Sequence, residues 1–148
     1  MVIGEIMTTE VTTVQETDTL LDATMIFVRS TLRHLPVLRD KKLVGIITER
    51  DVKQFAPSIL SGISPEEYNQ LMESTPIARV MTRDPLTVKP SQSVFEAAKM
   101  LSAKRIGCLP VVEDGELRGI ITTTDMVKLL VRLMEEQESC AGEKPASS

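Results

Sequence analysis

Tryptophan is absent from this sequence, and other aromatic residues are few, with one tyrosine and three phenylalanines among 148 residues. Lys and Arg number 17 against 21 Asp and Glu, which gives a formal net charge of −4. Proteins that bind nucleic acid polymers usually present a basic surface to phosphates and, for single strands, aromatic side chains on which bases stack. Both features are scarce here, so no polymeric nucleic acid is expected as a partner.

Metal-binding and disulfide-forming residues are equally scarce. The two cysteines, Cys108 and Cys140, cannot build a disulfide framework, and the single histidine, His34, leaves no His/Cys cluster for structural zinc. No apolar run approaches the ~20 residues that span a bilayer, and the N-terminus lacks the pattern of a signal peptide. These absences predict a soluble, cytoplasmic protein with no metal site, no required cofactor and no membrane partner.

Catalytic patterns are missing as well. The sequence contains no Gly-x-x-x-x-Gly-Lys-Ser/Thr phosphate loop and nothing that resembles a Ser-His-Asp arrangement. One histidine also leaves few options for acid–base chemistry near neutral pH. No catalytic residue is therefore assigned, and the sequence is not expected to be that of an enzyme.

One phrase occurs twice in the chain. "GIITERD" occupies Gly45–Asp51, and "GIITTTD" occupies Gly119–Asp125. A shift of 74 residues aligns a first copy, Ile3–Phe55, with a second copy, Ile77–Leu129, without a gap. Self-similarity of this kind is typical of a tandem duplication in which each copy forms one supersecondary unit.

Each copy has the pattern of a strand, a helix, two strands and a second helix. In the first copy, a β-favouring run at Val11–Val14 precedes an amphipathic helix, and Leu35–Leu38 with Leu43–Thr48 predict a hairpin. A second helix is expected to begin near Asp51, and the second copy repeats this order. The predicted fold class is therefore α/β (α+β), built from two strand-helix-strand-strand-helix repeats.

The segment between the copies contains a helix-start signal. Ser64, Pro65 and two glutamates give a cap, a first-turn proline and acidic residues in the preferred order, so residues 63–75 are predicted as a linker helix. The two domains are predicted at 1–62 and 76–135. Residues 136–148 lack an apolar period and are predicted as a flexible tail.

The repeated Thr and Asp, which are Thr48 with Asp51 and Thr122 with Asp125, have two interpretations. Each pair lies where a strand meets a helix, and both residue types are good helix caps. The same place suits a ribonucleotide, because a helix N-terminus and a Thr hydroxyl can donate to phosphate while a carboxylate accepts from the ribose hydroxyls. The residues alone leave both interpretations open.

Three pairs of equivalent segments carry a family resemblance: "IMTTEVTTV" with "VMTRDPLTV", "RHLPVL" with "GCLPVV", and "LVGIITERD" with "LRGIITTTD". Through these segments the sequence resembles, over residues 1–135, a tandem pair of CBS domains, the regulatory Bateman module. The resemblance implies two repeats packed about a pseudo-two-fold axis, each with a small three-stranded sheet. It also implies clefts between the repeats that bind AMP, ADP or ATP, with S-adenosyl compounds or NAD as alternative ligands.

By matching position, the resemblance also implies ligand contacts in both copies. Asp51 and Asp125 would hold ribose hydroxyls, and Thr48 and Thr122 would contact ribose or phosphate. Residues of the first strand and of the x-x-x-Pro-Val strand would wrap the base. They are Thr13, Val14, Leu35 and Pro36 in one copy and Thr87, Val88, Leu109 and Pro110 in the other.

The copies differ at three further aligned positions near the predicted sites. These are Arg33, His34 and Arg50 in the first copy and Gly107, Cys108 and Thr124 in the second. A planar guanidinium suits phosphate, so the first site is better equipped for a charged nucleotide. Other interpretations stay open. Both arginines also fit a solvated surface, His34 fits a packed or a surface position, and Cys108 fits a small buried residue better than a reactive thiol.

Together these features predict a non-catalytic regulatory sensor that binds adenine nucleotides and signals to a separate effector protein, which the sequence does not identify. The competing interpretation is a ligand-independent dimerisation or scaffold module in which Thr and Asp only cap helices. A symmetric homodimer is also predicted, since this family commonly pairs its modules and the second helices carry surplus apolar residues. These residues are Val52, Phe55, Val127, Leu130 and Met134.

Overall fold

The structure is a computed structural model that describes residues 1–56 and 62–143, the last three by their backbone only. Within these ranges the strands are β1 (Val14–Gln15), β2 (His34–Arg39), β3 (Lys42–Thr48), β4 (Thr82–Arg83), β5 (Cys108–Glu113) and β6 (Glu116–Thr122). The helices are α1 (Leu20–Arg29), α2 (Glu49–Phe55), α3 (Pro65–Ser74), α4 (Val94–Lys104) and α5 (Thr123–Glu143). This order confirms the predicted mixed α/β class.

Local capping residues decide where three of the helices begin. The Thr19 hydroxyl accepts a hydrogen bond from the Asp22 amide at 3.2 Å at the start of α1, and the Asp22 carboxylate accepts from the Thr19 amide at 3.0 Å. Ser93 caps α4 by accepting from the Glu96 amide at 3.0 Å. Ser64 caps α3 in the same way. This helix lies within the segment between the copies.

Each copy contains the predicted three-stranded unit. β1 runs parallel to β2, with Val14 paired to Val37, and the second copy has the same contact as a single bridge between Val88 and Val111. The β2–β3 and β5–β6 hairpins have equivalent registers, each with an irregularity at the same position. Of each predicted first strand, only the last residue, Val14 or Val88, is therefore paired with a neighbouring strand.

The two copies exchange their first segments. β4 of the second copy pairs with β3 of the first, which places Thr82 opposite Ile46. The equivalent segment of the first copy pairs with β6 through Thr8 and Ile120. The same shift of 74 residues converts one pair into the other, so the exchange is reciprocal and the copies are related by a pseudo-two-fold axis.

The axis passes through the one contact between β3 and β6, in which Lys42 pairs with Glu116. These two residues are equivalent in the two copies, so the pair is its own symmetry mate. The contact joins both three-stranded units into a continuous sheet with the order β1-β2-β3-β6-β5, with β4 on β3. The small sheets implied by the resemblance are thus present but are not separate.

The glycine of the repeated phrase permits this close crossing. A Cβ atom at Gly45 would lie 2.8 Å from the carbonyl oxygen of Thr82, and one at Gly119 would lie 2.6 Å from that of Thr8. A strand glycine often marks a place where another backbone approaches closely. The glycine that begins each repeated phrase therefore allows the backbones of the two copies to pair.

Apolar residues form a core in each copy and a third cluster between them. Leu35 and Ile47 lie in the first core, and Leu109 and Ile121 lie in the second. The alternation of side chains along a strand sends neighbouring residues to the other face of the sheet. That face carries the third cluster, which consists of Ile46, Cys108 and Ile120.

The last helix is longer than the sequence predicts. α5 continues to Glu143, so the first part of the predicted flexible tail is helical, because its glutamate and glutamine residues are good helix formers. Residues 144–148 of that tail, and residues 57–61 near the predicted end of the first domain, lie outside the described residues. Neither α5 nor another helix in the described ranges is long and apolar enough to cross a membrane.

Candidate functional site

A cleft of about 1020 Å³ opens between the two copies. The first copy contributes the start of β2, the end of β3 and α2, and the second contributes Thr82, residues 84–86 and residues 105–108. Seven predicted site residues line it: Arg33, His34, Thr48, Arg50, Asp51, Gly107 and Cys108. The structure thus places Gly107 and Cys108 beside the polar residues of the first copy, whereas the sequence alignment assigned them to the second site.

The residues predicted to wrap the base do not line this cleft. Six of them are buried: Val14, Leu35, Pro36, Val88, Leu109 and Pro110. Thr13 borders a separate pocket of about 290 Å³ near the β3–β6 contact, and Thr87 is exposed. Core packing occupies the buried side chains and leaves backbone atoms for any ligand contact, so their role stays a prediction.

Asp51 caps α2 with one carboxylate oxygen and lines the cleft. Its Oδ2 atom accepts from the Thr48 amide at 3.0 Å, and the Thr48 hydroxyl accepts from the Asp51 amide at 3.0 Å. Within the described residues, the Oδ1 atom of Asp51 accepts no hydrogen bond from the protein. Capping and ligand binding are therefore compatible at this residue, because they use different oxygen atoms.

Asp125, the counterpart of Asp51, has both carboxylate oxygens engaged. Oδ2 accepts from the Thr122 amide at 2.8 Å and from its hydroxyl at 3.1 Å, while Oδ1 accepts from the Thr8 hydroxyl at 3.2 Å. Thr82, which corresponds to Thr8, makes no such bond to Asp51 in the part of the chain that the structure describes. A ribose at Asp125 would have to displace Thr8, whereas at Asp51 it would displace no hydrogen bond that the described residues make to Oδ1.

The start of α2 offers fewer free amides than its sequence suggests. The Glu49 amide donates to the carbonyl oxygen of Arg33 at 3.1 Å, and the Asp51 amide is bonded to Thr48. α2 also has only seven residues. A phosphate in this cleft would therefore depend on side-chain cations rather than on the helix terminus.

Charged side chains of both signs line the cleft. The cations are Arg33, Arg50, Lys53 and Arg105, and the carboxylates are Glu49, Asp51 and Asp84. Glu49 forms ion pairs with Lys53, at 2.7 Å, and with Arg33. Hydrogen bonds from Lys53 and then Arg33 hold the pKa of Glu49 below its usual value, so this carboxylate is ionised at neutral pH.

His34 forms part of the cleft wall against the second copy. A Cβ atom at Gly107 would lie 2.9 Å from the Cε1 and Nε2 atoms of its ring, so any larger residue there would have to push the ring aside. Burial lowers the pKa of His34, and the nearby charge of Asp51 opposes that shift without cancelling it. The ring is thus mainly neutral at neutral pH and offers a planar surface rather than a positive charge.

Cys108 is buried in the cluster between the copies. Burial, reinforced by the negative charge of Asp125, raises the pKa of its thiol to about 12. Because the thiolate is the reactive form of cysteine, this side chain is inert near neutral pH. Its role is that of a small apolar residue, one of the two interpretations that the sequence leaves open.

Thiol titration tests this assignment. At about pH 8, the native protein is expected to react with one equivalent of a thiol reagent per chain, at the exposed Cys140, and with a second only after unfolding. The Cys140→Ser variant should then have no reactive thiol in its native state. Two rapidly reacting thiols in the native protein would contradict the burial of Cys108.

Sequence reasoning missed the cleft residues around β4, which are Thr82, Asp84, Pro85 and Leu86. They reach the cleft because β4 pairs with β3 of the other copy, a contact that the spacing within one copy does not encode. Arg105 enters it at the end of α4, where its φ of 52° turns the chain toward β5. The useful signal was the glycine in each repeated phrase, which marks the crossing segment.

Comparison with known proteins identifies the class to which these paired repeats belong. The sequence matches the CBS domain family twice, over residues 3–58 and 77–132. It is similar to a solved structure from Vibrio cholerae that is named as an acetoin utilization protein, AcuB, with 34% identity, a TM-score of 0.78, and coverage of 94% of this chain and 96% of that one. The chain belongs to the CBS domain family and contains a pair of these domains.

Two other similar structures contain ligands. CBSX2 from Arabidopsis thaliana, solved in complex with AMP, has 26% identity and a TM-score of 0.73, with coverage of 90% of this chain and 98% of that one. The CBS domain pair of protein MJ0100, solved with 5′-methylthioadenosine and S-adenosyl-L-methionine, has 25% identity, a TM-score of 0.70, and coverage of 88% and 99%. These three ligands share an adenine joined to a ribose.

Proposed function

We propose that the cleft between the two copies binds an adenine nucleotide, and that binding regulates a separate partner protein. The observation that carries the proposal is Asp51, which lines a cleft of about 1020 Å³ with arginines nearby and has one carboxylate oxygen that no described residue hydrogen-bonds. The cleft has the size of a small-molecule site. The adenosine-containing ligands of CBSX2 and of MJ0100 support the choice of ligand.

The proposed binding mode assigns each part of the ligand to a different side chain. The ribose hydroxyls donate to Oδ1 of Asp51, and the hydroxyl of Thr48 can donate to the sugar or the phosphate. The base contacts the neutral ring of His34, and the phosphate contacts Arg50 or Arg105. S-adenosylmethionine would use the same sugar and base contacts. It offers the arginines a single carboxylate and adds an ammonium and a sulfonium cation, so a nucleotide, with its more highly charged phosphate, is the better match.

Regulation follows from the position of the ligand between the copies. Because both copies contribute to the cleft wall, a bound ligand contacts both and stabilises the arrangement in which they are close together. A partner that prefers one arrangement would then bind differently in the presence of the ligand. No catalytic role is proposed for these residues.

A calorimetric titration against AMP, ADP, ATP, NAD and S-adenosylmethionine tests the proposal. The expected result is saturable binding of at least one adenine nucleotide with one molecule per chain at the cleft of Asp51. A flat response to all five ligands at millimolar concentration would favour the alternative, a ligand-independent scaffold.

The exposed face of α5 supports a second proposal, that the protein forms a symmetric homodimer. Val127, Leu130 and Met134 recur at helical spacing and are each more than half exposed. Phe55 is partly exposed, but Val52, also predicted at the interface, is buried in the first core because α2 packs that face against its own copy. The proposed interface therefore lies on α5.

Light scattering tests this interface. The native protein is expected to have twice the chain mass of 16.4 kDa at tens of micromolar concentration. Leu130→Glu should give a monomer with native helix content, because it places a charge in the apolar face, whereas Lys128→Glu on the same helix should leave the dimer intact. A monomeric native protein would contradict the proposal.

A further inference from the structure

Glu49 lies between two cations at the edge of the cleft. Its Oε1 atom contacts Lys53 Nζ at 2.7 Å, and its Oε2 atom pairs with Nη1 of Arg33. The Glu49 side chain is only 25% exposed, whereas those of Arg33 and Lys53 are 66% and 74% exposed. The carboxylate is therefore the better-fixed member of the group, and one negative charge holds two positive ones.

These ion pairs limit the positive charge that a ligand can use. Among the described residues, the cleft cations that make no ion pair with a carboxylate are Arg50 and Arg105. A nucleoside monophosphate carries a charge of about −1.5 to −2 on its phosphate, which two guanidinium groups can balance. A triphosphate carries about twice that charge, and the cleft that would receive its additional phosphates is also lined by the carboxylates of Glu49 and Asp84.

We infer that Glu49 makes the cleft selective for a nucleoside monophosphate over a triphosphate. The inference rests on the proposed function and adds a residue that determines which nucleotide is bound. Glu49 acts in two ways. It occupies Arg33 and Lys53, the cations that a longer phosphate chain would need, and it repels the added negative charge. A monophosphate held at Arg50 and Arg105 avoids both effects.

The Glu49→Gln variant tests this inference, because glutamine keeps the size and the acceptor oxygen but removes the charge. Affinities for AMP, ADP and ATP are measured by calorimetry without divalent metal. The native protein is expected to bind AMP at least about fivefold more tightly than ATP. In Glu49→Gln, affinity for ATP should rise about tenfold and affinity for AMP less than about threefold, with ADP between them.

Glu113→Gln provides the control, because Glu113 pairs with Arg118 outside the cleft and its loss should not change the order of affinities. Equal changes for AMP and ATP in Glu49→Gln, or a native protein that prefers ATP, would overturn the inference and leave nucleotide binding intact. Failure of the native protein to bind any of the three would instead overturn the proposed function. The melting temperature of each variant shows whether a lost affinity reflects unfolding.

Discussion

Asp51→Ala is expected to weaken binding of an adenine nucleotide by about tenfold to a hundredfold. A charged hydrogen bond contributes about 1.5–3 kcal/mol, and the carboxylate is proposed to accept from the ribose hydroxyls. Asp125→Ala is the matched control, because it removes the equivalent helix cap from a carboxylate that already bonds to Thr122 and Thr8. Calorimetry should therefore show a large loss of affinity at the cleft of Asp51 and little change there when Asp125 is replaced.

A 2′-deoxynucleotide separates ribose recognition from a general loss of stability. The native protein should bind the deoxynucleotide more weakly than the ribonucleotide, whereas Asp51→Ala should bind the two about equally. If Asp51 only caps α2, its replacement should instead cost about 0.5–2 kcal/mol of folding stability with no change in ribose preference. That second outcome would show that the Thr and Asp of the repeated phrase only cap a helix.

Gly119→Ala is expected to lower the free energy of unfolding by about 3 kcal/mol and the melting temperature by about 10 °C. The added Cβ would lie 2.6 Å from the carbonyl oxygen of Thr8, a backbone atom that cannot move without breaking the pairing with Ile120. The loss of stability should be large because the exchanged segment, which contains Thr8, connects the two copies. Thermal and urea unfolding measure both quantities.

Gly4→Ala is the control for this experiment. A Cβ atom at Gly4 would lie 3.4 Å from Pro90, which is close to an ordinary contact distance, so the change in stability should stay within about 0.5 kcal/mol. Equal melting temperatures for Gly119→Ala and the native protein would show that the first segment can shift freely. The exchange of segments would then not be needed for the fold.

The fold was predictable from the sequence where local chemistry decides it. Ser64 and Ser93 accept from the amides three residues ahead, so each helix start depends on a few adjacent residues. Asp40 and Asp114 adopt positive φ values of 57° and 55° at the tips of the two hairpins, as turn residues of this type can. Patterns of this kind are complete within one copy.

The arrangement of the cleft was less predictable because it depends on contacts between the copies. The ring of His34 meets Gly107, and the hydroxyl of Thr8 meets Asp125, although each pair is distant in sequence. Lys53 has the pattern of a solvated helix residue, and only its contact with Glu49 shows that it belongs to the cleft edge. The periodicity within one copy cannot show which residues meet across the pseudo-two-fold axis.

A crystal structure of the protein grown with AMP would test the central claim most directly. The account predicts one nucleotide per chain in the cleft between the copies, with its ribose hydroxyls within hydrogen-bonding distance of Asp51 and its phosphate near Arg50 or Arg105. A nucleotide bound only near Asp125, or a cleft with no nucleotide at saturating concentration, would contradict it.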